Sequence, residues 1–225
     1  MSDDWEDSSY YDEIYEQASK EAVESFTAER LCSFYNKEPN VAEKPFKSLV
    51  EARLLLQTPH SSAACLHAAI ATEVVLKGVV LKPIIYGFIH SDTMAPLILE
   101  LAFGSTGFER IKKLLAKIFK DVCALDLMTF IRKGGKEMLW AEILAVQKQR
   151  DHIVHRAEFV DKADAEKAVA VAGAVVEELF PALATGLGYH LHDGFRLCRE
   201  WICTQPPHIQ KLLSEPQQRD PSSQK

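Results

Sequence analysis

A chain of 225 residues with 47% hydrophobic content can build one substantial core, which excludes a disordered protein. The net charge of −6 gives no general attraction to nucleic acid, yet the charge is divided: residues 1–30 hold ten acids and two bases, residues 110–156 eleven bases and five acids. Five scattered cysteines (Cys32, Cys65, Cys123, Cys198 and Cys203), with no Cys-x-x-Cys pair, argue against a zinc framework or a thioredoxin-like redox pair and predict a reducing, cytoplasmic setting.

The polar, acidic beginning is no secretory signal, and residues 1–8 read as a frayed lead-in. Tyr11, Ile14, Tyr15, Ala18, Ala22 and Phe26 recur on one face of an acidic first helix, taken as residues 1–35. We read this helix as solvated, with shielding of the basic half as the sharper alternative. After a loop from Asn36 to Lys44, Pro45 opens a short helix with Phe46, Leu49, Val50 and Leu54 inward, closed by Thr58-Pro59. Ser61 or Ser62 caps the next helix, which runs to Lys82 and stops before Pro83. It is apolar nearly all round, which predicts the central helix of a bundle. Its His67, Glu73, Lys77 and Lys82 argue against a membrane span.

Residues 83–96 read as an irregular connection, followed by an apolar segment from Pro96 to Phe103 and a loop at Gly104–Gly107. An amphipathic helix then turns Phe108, Ile111, Leu115 and Ile118 inward. Beyond a mobile-looking loop at Arg132–Lys136, Leu139, Ile143 and Val146 mark another helix. Asp161 or Asp164 caps an Ala/Val-rich helix that reaches Phe180 and turns Ala165, Ala168, Ala172, Val175 and Leu179 inward. Pro181 and three glycines break that pattern, Asp193 to Cys203 has room for one short helix, and from Thr204 the chain reads as disordered. No run alternates long enough for a strand, so the predicted fold is all-α, with a bundle over residues 45–182, an extension over 183–203 and a tail over 204–225.

The apolar stripe Leu139, Ile143, Val146 continues onto Arg150, an arginine where a core residue is due. Asp151 follows it and His155 lies five positions on. On a continuous helix five positions are about 140° of rotation, so Arg150 and His155 share no face, whereas Asp151 and His155 do. Either the helix breaks inside the motif or the groups meet through a second chain. Arginine, imidazole and carboxylate together suit metal-free cleavage of RNA. His155 moves a proton of the ribose 2′-hydroxyl, Arg150 holds the phosphate as charge builds, and Asp151 orients one of them. His152 and Glu73 are supporting candidates, Glu73 either paired with Lys77 or reaching Arg150. Lys148, Arg156, Arg132 and Lys133 are candidate RNA contacts.

The run Arg150-Asp151-His152-Ile153-Val154-His155 resembles the Arg-x4-His signature of HEPN domains. The sequel Arg156–Val160 and the upstream helix Ala68–Lys77, with its acid inside an apolar run, are similar to that family too, and the likeness spans residues 45–182. It implies a HEPN-like antiparallel helical bundle, usually a homodimer with the two motifs facing across a cleft. Its members include metal-independent endoribonucleases that act as toxins or in antiviral defence, restrained by an antitoxin or another regulatory protein. The motif match makes Arg150 and His155 catalytic and Asp151 the adjacent polar residue, where many relatives carry Asn. The alternative is a module that binds RNA, nucleotide or a protein partner without cutting. No cofactor and no metal are expected: His152-x2-His155 with Asp151, and His190-x-His192-Asp193, each lack a second ligand pair, and Cys198 and Cys203 read as packing residues.

Overall fold

The computed structural model describes residues 4–88 and 108–206. Among these the chain is mostly helical, as expected, with six helices and one two-stranded sheet. The helices are α1 (Asp4–Lys37), α2 (Glu43–Leu55), α3 (from Ser61), α4 (Phe108–Cys123), α5 (Leu139–Arg156) and α6 (from Lys162). The expected segment Pro96–Phe103, the loop Gly104–Gly107 and most of the tail lie outside the described residues.

α3 is the central rod. It packs against α2, α5 and α6, and its last turns meet α1. Ala64, Ala68, Ala69 and Ala71 are buried on it, and on α6, which packs against it, Ala165, Ala168 and Ala172 are fully buried. Small residues on both surfaces let the two backbones approach closely. The inward residues predicted for α6 are all buried, as are Phe108, Ile111, Leu115 and Ile118 of α4 and Leu139, Ile143 and Val146 of α5. By length and composition, Ser61–Tyr86 and Lys162–Gly186 are apolar enough to cross a membrane, but their apolar windows are 61% and 67% buried inside the protein.

Several local expectations change. Val50 and Leu54 of α2 are exposed, and the buried face is Pro45, Leu49 and Ala52. Ala18 of α1 is also exposed, and the anchoring residues are the fully buried Leu31 and Tyr35 further along. The side chains of Tyr11, Ile14, Tyr15 and Ala22 lie outside the described ones. Neither Ser61 nor Ser62 caps α3. Ser62 Oγ instead accepts the backbone N–H of Val160 at 3.0 Å, while Asp161 does cap α6 through the Asp164 N–H at 2.8 Å.

Both long helices also run through the prolines expected to end them. α3 (Ser61–Glu73) continues through a π-helical stretch, Val74–Leu81, into Lys82–Phe88, and α6 (Lys162–Gly173) continues through π-helical Ala174–Leu179 into Phe180–Gly186. Proline removes a donor and its ring crowds the carbonyl four residues back. In each case the π stretch lies just upstream of the proline, where the wider turn relieves that crowding. The Val79 carbonyl, four residues before Pro83, accepts the buried Tyr35 hydroxyl at 3.0 Å. Tyr35 packs edge-on to Phe180 and Tyr189, so one side chain joins α1, α3 and α6. Burial pushes its phenol far above the usual range, which keeps it a donor.

The largest departure is at the C-terminal end. Where a short helix was expected, β1 (His190–His192) pairs antiparallel with β2 (Arg196–Cys198), and a 3₁₀ turn, Trp201–Thr204, follows. Asp193 and Gly194 both take positive φ, which reverses the chain and denies it a helix. Gly194 sits against Phe46, where a Cβ would come within 2.7 Å of the ring.

Tyr35→Phe is expected to leave the Val79 carbonyl without its hydroxyl donor and to lower unfolding free energy by about 1–3 kcal/mol. Urea denaturation checks this, and an unchanged midpoint would mean that the hydroxyl carries none of the stability.

Candidate functional site

α5 opens at Met138, in extended backbone, and closes at Ala157, which adopts the left-handed conformation at φ 52 and bonds back to the His152 carbonyl. Left-handed backbone is costly for alanine, so the sharp turn straight after the motif is held by its surroundings. The Val160 N–H on Ser62 ties the following residues to the start of α3. The motif therefore occupies the last two turns of a helix whose exit is fixed.

Between Arg150 and His155 the helix does not break. Of the two arrangements open in the sequence, the one with a broken helix is gone, and within one chain the two side chains diverge. Arg150, the continuation of the buried stripe, emerges where α5 leaves the core, with its side chain 37% exposed. Its Nη1 donates to Asp151 Oδ1 at 2.8 Å. Asp151 thus engages the arginine beside it, and His155 stands exposed. His152 Nδ1 lies 3.0 Å from Glu158 Oε2, and Arg156 Nη1 lies 3.7 Å from the other oxygen of the same carboxylate. Lys148 is exposed two positions before Arg150. Val154, adjacent to His155 in the chain, is 51% exposed, and Phe159, just past the turn that ends α5, is 95% exposed.

Three other candidates sit elsewhere. Glu73 pairs with Lys77 at 2.8 Å, the intrahelical reading of the two considered. Arg132 and Lys133 precede α5, so the length of that helix separates them from the motif. Lys133 is exposed, but Arg132 points inward and makes a two-pronged contact with Glu142, Nε to Oε2 at 2.8 Å and Nη2 to Oε1 at 2.9 Å. Their side chains are only 13% and 3% exposed, so Glu142 is a buried acid that the sequence analysis passed over. The only sequence hint was an acid one position before Ile143, on the margin of the buried stripe. The loop expected to be mobile is tied down by this pair and by the Gly135 N–H on the Arg132 carbonyl.

A groove of about 670 Å³ opens between α1, α2 and the π stretch of α3, lined by Phe34, Lys44, Gly78 and Lys82 among others, and no motif residue lines it. His190 and His192, grouped in the sequence with Asp193, and Cys198 and Cys203, read there as packing residues, converge at the hairpin with their ligand atoms within 4.8 Å of one another. No family model, curated protein or solved structure matches the chain, so both sites stand on their own residues.

Removing Arg132 leaves the Glu142 carboxylate buried without its partner. Arg132→Ala is expected to cost about 3–5 kcal/mol, against less than about 0.5 for exposed Lys133→Ala. Chemical denaturation of the two variants compares them directly, and equal costs would show that the buried pair is not holding the loop.

Proposed function

We propose that this chain is a HEPN-like, metal-independent endoribonuclease that works in the cytoplasm as a symmetric homodimer. The observation that carries the reading is that Arg150 and His155 occupy the end of one unbroken helix, exposed or partly so, but facing apart. A single copy cannot bring both to one phosphate, whereas two copies of this helix end, related by a two-fold axis, can pair the arginine of one with the histidine of the other. Val154 and Phe159 supply apolar surface at the end of α5 for such a contact.

In that cleft His155 removes the proton of the ribose 2′-hydroxyl, and the resulting oxygen attacks the adjacent phosphorus. The bond to the 5′-oxygen breaks, that oxygen takes a proton from the histidine of the second copy, and the products carry a 2′,3′-cyclic phosphate and a 5′-hydroxyl. Arg150 stabilises the equatorial oxygens as charge accumulates, with Asp151 orienting its guanidinium. Lys148 and Arg156 would carry the flanking RNA backbone, with exposed Lys133 beyond the start of α5, whereas Arg132, turned inward onto Glu142, is a brace and not an RNA contact. A role as a toxin or antiviral effector, restrained by an antitoxin or regulatory protein, follows from the family resemblance.

One observation favours a second reading, an RNA-binding module that does not cut. Asp151 already occupies Arg150, and its charge opposes a phosphate at the same place.

Labelled single-stranded RNA incubated in EDTA separates the two. Wild type is expected to cleave it and spare the matching DNA, with Arg150→Ala and His155→Ala each slowing cleavage by about 10²-fold or more. Binding without cleavage would select the second reading, and neither binding nor cleavage would end both. Phe159→Asp combined with Val154→Asp is expected to shift sedimentation equilibrium toward monomer and reduce cleavage in parallel. A wild type that cuts efficiently as a monomer would contradict the shared site.

A further inference from the structure

We propose that His190, His192, Cys198 and Cys203 form a structural zinc site that ties the two strands of the C-terminal hairpin to the turn that follows them. Each residue reaches the cluster for a separate backbone reason. In the β1–β2 register His190 is directly opposite Cys198, and His192, two positions on, stands on the same face as His190. The 3₁₀ turn Trp201–Thr204 then carries Cys203 back over that face. All four candidate ligand atoms lie within 4.8 Å of one another.

The spacing fits one ion in particular. A tetrahedral zinc with Zn–S about 2.3 Å and Zn–N about 2.0–2.1 Å requires a sulfur–sulfur edge of about 3.8 Å and a nitrogen–nitrogen edge of about 3.3 Å. The Cys198 and Cys203 Sγ atoms are 3.8 Å apart, and the Nε2 atoms of His190 and His192 are 3.2 Å apart. Two thiols and two imidazoles turned toward a common point gain little from each other, since thiol hydrogen bonds are weak and the two rings can share one proton at most. Two thiolates and two neutral imidazoles around a divalent, borderline-soft cation give an electrically neutral, closed set. The Glu200 backbone N–H lies 3.4 Å from Cys198 Sγ, a donor placed to support a thiolate. With all four positions filled by protein, the ion is structural and not catalytic.

The hairpin also needs such a staple. Two strands of three residues are marginal by themselves. On one side the hairpin leans on the bundle through buried Leu197, the Phe195–Phe46 ring contact, and the Leu197 N–H on the Pro39 carbonyl at 2.9 Å. Just before β1, the Tyr189 hydroxyl donates to Asn36 Oδ1 at 2.7 Å. The other side carries the four ligands, so the ion would join β1, β2 and the following turn where they have no core. This assignment is independent of the ribonuclease reading. α6 leads away from the motif and ends at the hairpin, about 35 Å of helix later.

The test is metal content of the full chain, produced without a polyhistidine tag and kept reduced. About one zinc per chain is expected in wild type by mass spectrometry, conserved in Cys123→Ser and reduced to background in Cys198→Ser, Cys203→Ser and His192→Gln. Circular dichroism checks that the variants keep their helices. Cobalt(II) loaded into wild type is a readout that needs no variant, and is expected to give thiolate charge-transfer and intense tetrahedral bands. Wild type that takes up neither metal, an octahedral cobalt spectrum, or zinc retained in the Cys198→Ser/Cys203→Ser double variant would overturn the site.

Discussion

Two helices can lie only as close as the side chains between them allow, and between α3 and α6 those side chains are largely alanines. That close approach is the constraint on which the remaining structure depends. It holds α2 and α5 around the same central rod, while past their π stretches the two helices take separate partners, α3 meeting α1 and α6 meeting α4, contacts that keep both segments helical beyond their prolines. The π stretches are the local cost of that persistence. A helix that ended at Pro83 would lose buried Ile84 from the interior and the contact of its last turns with α1. Local propensity is overruled here by the burial of long apolar surfaces.

α6 connects two chemically different ends of the molecule. Near its start stands the outer end of α5, where Arg150, Asp151, His152, His155, Arg156 and Glu158 form a half-exposed network of charge. At its far end the chain turns into a hairpin that gathers two histidines and two cysteines. The first end has reactive groups pointing apart and open apolar surface beside them, which suits completion by another molecule. The second has its groups pointing together, which suits completion by an ion. The contrast in direction, more than residue type, separates a site that wants a partner from one that wants a metal.

Charge in this protein is also less free than its sequence implies. Within the basic stretch, Lys117 pairs with Asp121, Arg132 with Glu142, Arg150 with Asp151, and Arg156 lies near Glu158. The Arg132–Glu142 pair is the clearest case, an apparent loop cation that is an interior brace. What remains for an anionic ligand around the motif is a handful of groups, Lys148 and His155 foremost, together with an arginine that must be drawn from its carboxylate.

The sequence by itself determined the helical class, the central position of the helix after Ser61 and the inward faces of α4, α5 and α6, and it narrowed the cap of α6 to Asp161 or Asp164. It also singled out Arg150 and His155, because an arginine on an apolar stripe breaks a pattern that can be read locally. Periodicity and capping are properties of neighbouring residues and need nothing from the rest of the chain. Only the tertiary structure decided that Pro83 and Pro181 are passed, that Arg132 faces a buried Glu142, and that the helix stays whole through the motif. It also decided that two histidines and two cysteines, unremarked as a set along the chain, meet. The Asp193-Gly194 turn was legible as a hairpin signal, yet the strands beside it are too short to alternate visibly. The reason is common to all of these: each depends on which distant group occupies the space next to a residue, and sequence spacing is silent on that until the chain has packed.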